Sequence, residues 1–174
     1  MFEKTYVSLG LLALMGTAFA GEHPIGEPVE KHGMRIAAVY LQAVKMTPAL
    51  PGMGGRKDIH LEADIHAIRG NPNGFGAGEW IPYLQVDYSI EKQGSDWSTF
   101  GHFSPMVASD GPHYGANIQL NGPGRYRVRY RLFPPSYSGF YRHRDRETGV
   151  GKWWQPFEVQ WQFTYAGAGK KGGY

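Results

Sequence analysis

Residues 59–68 read Ile-His-Leu-Glu-Ala-Asp-Ile-His-Ala-Ile, and this alternation decides the fold. Successive side chains of a β-strand point to opposite faces. Ile59, Leu61, Ala63, Ile65 and Ala67 therefore share an apolar face, and His60, Glu62, Asp64 and His66 share a polar one. Downstream, residues 83–91 (YLQVDYSIE) alternate in the same way, with Leu84, Val86, Tyr88 and Ile90 together. Residues 125–133 (RYRVRYRLF) set arginines against Tyr126, Val128, Tyr130 and Leu132. One of these faces suits a core, and the other suits solvent or an anionic partner. Residues 157–165 (FEVQWQFTY) repeat the pattern with Phe157, Val159, Trp161, Phe163 and Tyr165.

Residues 34–44, 97–106 and 113–120 read as three further strands, making seven in all. Gly/Pro-rich punctuation separates them. It comprises an irregular lead-in over 21–33, loops over 45–56 and 71–78, and Asp110-Gly111-Pro112 within 107–112. A turn at 121–124 (NGPG), a long irregular stretch over 134–152 and a Gly-rich tail over 166–173 complete the set. No stretch reads as a convincing amphipathic helix. The expected fold is all-β, an antiparallel sandwich with an immunoglobulin-like layout. Tyr126-x-Val128-x-Tyr130 after a Gly turn suits the strand that carries a tyrosine corner in such folds.

The first twenty residues carry a different message. Lys4 forms a thin basic region weakened by Glu3, residues 6–15 are mostly apolar, and Ala18-Phe19-Ala20 has the small-x-small form of a cleavage site. Residues 1–20 are expected to be a signal peptide, and residues 21–174 a single exported domain in the periplasm. Gly10, Gly16 and Thr17 interrupt the apolar run, which disfavours a membrane anchor, and no later segment is long and apolar enough to span. There is no cysteine, so a packed core has to stabilise the fold. The formal net charge of +3 comes without a long basic run, which leaves no case for a nucleic-acid partner. An aromatic content of 14% argues against disorder.

Three clusters bear on chemistry. The polar face of 59–68 lines up four metal-competent side chains, although every half-exposed strand also has a polar face. Met106 and His113 flank the Asp-Gly-Pro turn, where a fold-back would bring thioether and imidazole to one cation. Core filler and surface histidine are the plainer readings of that pair. His143 lies in a charge run, Tyr141-Arg-His-Arg-Asp-Arg, that solvent alone would accommodate. Imidazole suits copper, zinc, iron and nickel, and thioether favours Cu(I). A His/Met set without thiolate points first to copper, and absence of cysteine excludes a blue-copper His2Cys centre. Glu62 adds a hard oxygen suited to Cu(II), iron or manganese. No nucleophile-elbow motif surrounds Ser104 or Ser109.

Asp-Ile-His-Leu-Glu-Ala-Asp-Ile-His (58–66), Met-Val-Ala-Ser-Asp-Gly-Pro-His-Tyr-Gly (106–115) and the late His143 together resemble the periplasmic iron-transport protein family. This is the FetP-like group found beside Ftr-type inner-membrane iron permeases, and the likeness runs over the whole mature chain. The resemblance implies an immunoglobulin-like sandwich, a homodimer, copper binding and a part in iron uptake. It also implies His60, Met106, His113 and His143 as copper ligands, with Glu62 a nearby carboxylate able to move. Iron, or manganese as its mimic, would occupy a second site. Two functions stay open at this point, an accessory protein that captures or hands on metal and a copper-dependent redox enzyme acting on iron.

Overall fold

The computed structural model describes residues 21–48 and 57–167. The expected signal peptide, most of the Gly-rich tail and residues 49–56 of the expected 45–56 loop lie outside these residues. Ten strands are present among the described residues. In chain order they are β1 (His23–Pro24), β2 (Val29–Lys31), β3 (Met34–Leu41), β4 (Ile59–Ala67), β5 (Gln85–Lys92), β6 (Ser98–His102), β7 (Ser104–Ala108), β8 (Gly111–Ile118), β9 (Gly124–Phe133) and β10 (Phe157–Tyr165). One sheet runs β1-β3-β4-β8-β7, with β2 also paired to β3, and the other runs β10-β9-β5-β6. Every pairing is antiparallel. This is the all-β, immunoglobulin-like sandwich, in which two antiparallel sheets pack face to face. No helix among the described residues is long and apolar enough to cross a membrane.

The apolar faces read from the sequence meet between the sheets. Ile59, Leu61, Ala63 and Ile65 from β4 face Tyr126, Val128, Tyr130 and Leu132 from β9, all within one buried cluster. A fully buried Ile or Leu contributes roughly 1.5–3 kcal/mol, so this strand pair anchors the fold. The Tyr126 hydroxyl donates to the Gly122 carbonyl at 2.6 Å, four residues upstream, which is the bond of a tyrosine corner. The Tyr130 hydroxyl crosses the core and donates to the Glu62 carbonyl at 2.9 Å, tying the backbone of β4 to the opposite sheet.

Four stretches differ from the sequence expectation, the first being the strand expected over 34–44, which ends at Leu41. The lead-in is not wholly irregular, because β1 and β2 add to β3, with His23 opposite Tyr40 and Lys31 opposite Met34. The single strand expected over 97–106 is two, since β6 pairs with β5 and β7 pairs with β8 in the other sheet. Phe103 sits buried at the crossing. The turn beside Asp110 is tighter than expected. Ala108 pairs with Gly111, which leaves Ser109 and Asp110 as a two-residue hairpin loop, with Gly111 at a φ of 136°. Pro112 is tolerated in β8 because it lies beyond Tyr114, the last residue paired with β4.

Candidate metal centre

The polar face of β4 does not meet open water. His60 is 1% exposed and Glu62 is 6% exposed, so this central strand is buried on both faces. Register builds the site from that strand outward. His60 lies opposite Asn117, and Glu62 opposite Gly115. On the far side of β8, Ser104 lies opposite Gly115, and Met106 opposite His113. Alternation then puts His60, Glu62, His113, Gly115, Asn117 and Met106 on the same outer face of the sheet.

The candidate donor atoms converge. His60 Nε2 and His113 Nε2 each lie 3.4 Å from Glu62 Oε1. The three donor atoms fall within 4.8 Å of one another, as a metal group requires. Both Nε2 atoms are buried without a hydrogen-bond partner, a costly arrangement unless a further partner is bound. An open pocket of about 1000 Å³ lies over them, and Met106, Met46 and Glu22 contribute to its walls. Two imidazoles, a carboxylate and an adjacent thioether fit a borderline-to-soft transition metal.

Gly115 makes the convergence sterically possible. A Cβ at this position would stand 2.6 Å from His60 Nε2 and 3.3 Å from His113 Cδ2. Gly115→Ala is expected to leave the sandwich intact but to displace the His60 ring, lowering metal affinity on the order of 10–100-fold. Metal titration beside circular dichroism checks this, and undiminished affinity would mean that the ring has room to spare.

Electrostatics keep the imidazoles ready. Burial holds His60 down to about 4, with the neighbouring His113 acting in the same direction and the Asn117 hydrogen bond opposing. Burial also lowers His113. Both rings are therefore neutral near pH 7, the form that ligates. Glu62 is pushed up to about 8, first by burial and then by Asp64, Glu22 and Asp110. Glu22 rises to about 7 through burial and a hydrogen bond shared with Asp110, and Asp64 rises to about 6 chiefly through burial. These acids crowd together without enough positive charge, and a cation would relieve them.

Of the residues singled out in the sequence, His60, Glu62 and His113 come together, and Met106 lines the same pocket. His143 does not join them within the chain. Its side chain is 74% exposed, and its Nδ1 lies 2.8 Å from the Thr148 hydroxyl. Gly115 and Asn117 were missed, although both share the parity of His113 along β8. Glu22 and Asp110 were missed because only the fold brings them near Glu62.

A family model for the Fe2+ transport protein matches residues 19–167. A UPF0423 protein of Brucella abortus is 48% identical over 167 residues, covering 94% of this chain and 92% of that protein. FetP of uropathogenic E. coli superposes with a TM-score of 0.81 at 54% identity, over 86% of this chain and 99% of the other. The copper-reconstituted P19 protein of Campylobacter jejuni gives a TM-score of 0.81 at 48% identity, over 87% of this chain and 100% of that one. A match over nearly the whole described chain, together with these relatives, assigns the sequence: the chain belongs to the Fe2+ transport protein family.

Proposed function

We propose that this is a periplasmic copper-binding protein of high-affinity iron uptake, which captures iron or hands it to an inner-membrane permease. The observation that carries the reading is the buried His60–Glu62–His113 group, with both Nε2 atoms lacking partners. His60, His113 and Met106 would hold copper, with Glu62 adjacent, and copper there would supply a redox-capable cation. The chain's own part is to present two neutral imidazoles, exclude competing donors and keep the carboxyl protonated until positive charge arrives. Iron, as cargo, has the carboxylates of Glu22, Asp64 and Asp110 to meet beside Glu62, a hard oxygen set that also suits manganese.

The test is titration of the metal-free protein with both copper states. Met106→Leu keeps the side-chain bulk but removes the thioether, so it is expected to cost Cu(I) binding more than Cu(II) binding. Equal losses would reduce Met106 to a packing role, and no copper binding by the unmodified protein would end the reading. The mixture of soft thioether and harder donors also favours a second reading, a copper-dependent redox enzyme acting on periplasmic iron. Iron oxidation or reduction over many turnovers by copper-loaded protein would select it, whereas stoichiometric binding alone would select the accessory role.

His143 enters the proposal through a second copy of the chain. The protein would work as a homodimer, in which the exposed His143 of each subunit completes the other's copper site, as an isologous interface repeats every contact. Mixing His143→Ala subunits with His60→Ala subunits is then expected to restore full ligand sets at half the sites of the mixed dimer. If every site stays defective, the loop serves its own chain, and if His143→Ala alone already binds fully, the loop serves no site.

A further inference from the structure

We infer that Asn117 is a positioning residue that fixes the ring nitrogen His60 offers to the pocket and clamps the segment roofing that pocket, so the two are coupled. The inference rests on the metal-site reading above, but its structural half can be tested without metal.

The clamp begins with connectivity. β3 ends at Leu41, directly opposite His60 on β4. The chain then leaves the sheet and passes over its outer face, where Val44, Met46 and Pro48 wall the pocket. Asn117, on β8, lies opposite His60 from the other side. Its side-chain amide grips the backbone of Val44 at both polar groups. The Val44 N–H donates to Asn117 Oδ1 at 3.2 Å, and Asn117 Nδ2 donates to the Val44 carbonyl at 2.7 Å. His60 is thus covered by a segment whose backbone is pinned by the residue beside its own ring.

That grip determines a proton. A flipped amide would set NH2 against the Val44 N–H and oxygen against the Val44 carbonyl, two repulsive pairings, so the orientation of Asn117 is fixed by the backbone. Asn117 Oδ1 also lies 2.9 Å from His60 Nδ1. An amide oxygen only accepts, so His60 Nδ1 has to carry the hydrogen. A neutral imidazole has one N–H, which leaves Nε2 with a bare lone pair. Nε2 is the atom 3.4 Å from Glu62 Oε1 that lacks a hydrogen-bond partner. The tautomer needed for ligation is therefore selected by an outer hydrogen bond to the ring's other nitrogen. Because the same oxygen holds the Val44 N–H, loosening the roof frees Asn117 to turn, and turning Asn117 removes the acceptor from His60.

The test uses the metal-free protein first. Nitrogen-15 NMR of the imidazoles, with His60 identified by loss of its signals in His60→Gln, is expected to show Nδ1 protonated and Nε2 bare. Asn117→Leu keeps comparable bulk without polar atoms. It is expected to mix the His60 tautomers, to speed hydrogen exchange at the Val44 amide by at least about ten-fold, and to weaken Cu(II) binding on the order of 10–100-fold. Asn117→Asp retains an acceptor for both N–H groups but cannot donate to the Val44 carbonyl. It is expected to preserve the Nδ1–H tautomer while still loosening the segment. A wild-type His60 protonated on Nε2, or an Asn117→Leu protein with unchanged tautomer and exchange, would overturn the inference even if copper binds. The expected tautomer and exchange pattern in a protein that binds no copper would uphold the clamp and remove the function proposed for the pocket. Should Asn117→Leu fail to fold, the wild-type tautomer and the Asn117→Asp exchange pattern decide the matter alone.

Discussion

Replacing His113 by alanine is expected to lower Cu(II) affinity by more than about 100-fold while the sandwich remains folded. Loss of an outer-shell partner alone costs about 10–100-fold in characterised metal sites, and removal of a ligand should exceed that. His113 is buried with its Nε2 unpartnered, and the hydrogen bond to the Gly111 backbone and the edge-on contact with the His60 ring that are lost with it contribute only about 0.5–1.5 kcal/mol each, less than a 100-fold effect requires. The apolar residues of β8 that reach the core, Tyr114, Ala116 and Ile118, point to the opposite face and stay in place. Competition titration beside a thermal melt measures both quantities. A loss below ten-fold with an unchanged melt would place the cation elsewhere.

The metal-free protein is expected to lose stability as pH rises from about 6.5 to about 8, and divalent metal should restore it over the same interval. The sign follows from proton binding. Glu62 is raised from an ordinary 4.5 to about 8, so between those values the folded chain keeps a proton that the unfolded chain has released. Stability therefore falls with rising pH across that range. Glu22, raised to about 7, and Asp64, raised to about 6, add to the fall at its lower end. His60 works the other way, because it is held down to about 4 against an ordinary 6.5 and favours the folded state increasingly through that range. The two trends oppose each other until His60 has finished titrating, after which the carboxyls act alone. One pKa unit corresponds to about 1.4 kcal/mol, so the interval to pH 8 is expected to cost about 2 kcal/mol. Glu62→Gln should flatten the curve by removing the largest shift and should raise the metal-free melting temperature at pH 8. A melting temperature that climbs over this interval without metal would contradict the account.

The strands that pack on the core were legible because alternation is a local signal. Residues 59–68, 125–133 and 157–165 all show it, and they form the interior strands β4 and β9 and the edge strand β10. The break at Phe103 was not legible, because the change of hydrogen-bonding partner from β5 to β8 is set by distant strands and not by residues 98–108 themselves. Of the site, the β4 face and the Met106–His113 pair could be read, the second because a short turn between them implies pairing. The burial of His60 and Glu62 could not, since it depends on a segment crossing from β3. Nor could the role of Asn117, whose partner Val44 lies 73 residues away.

The hairpin carrying Met106 and His113 also has a kinetic consequence. Its loop is only Ser109 and Asp110, so its two potential ligands are joined by local closure. β-hairpins form in about 1–10 μs, whereas β4 must find β8 across a far longer stretch of chain. Contact order therefore favours closure of the Met106–His113 pair before His60 and Glu62 join it. A refolding chain would thus bring thioether and imidazole together by local contacts and add the second imidazole and the carboxylate only when β4 docks.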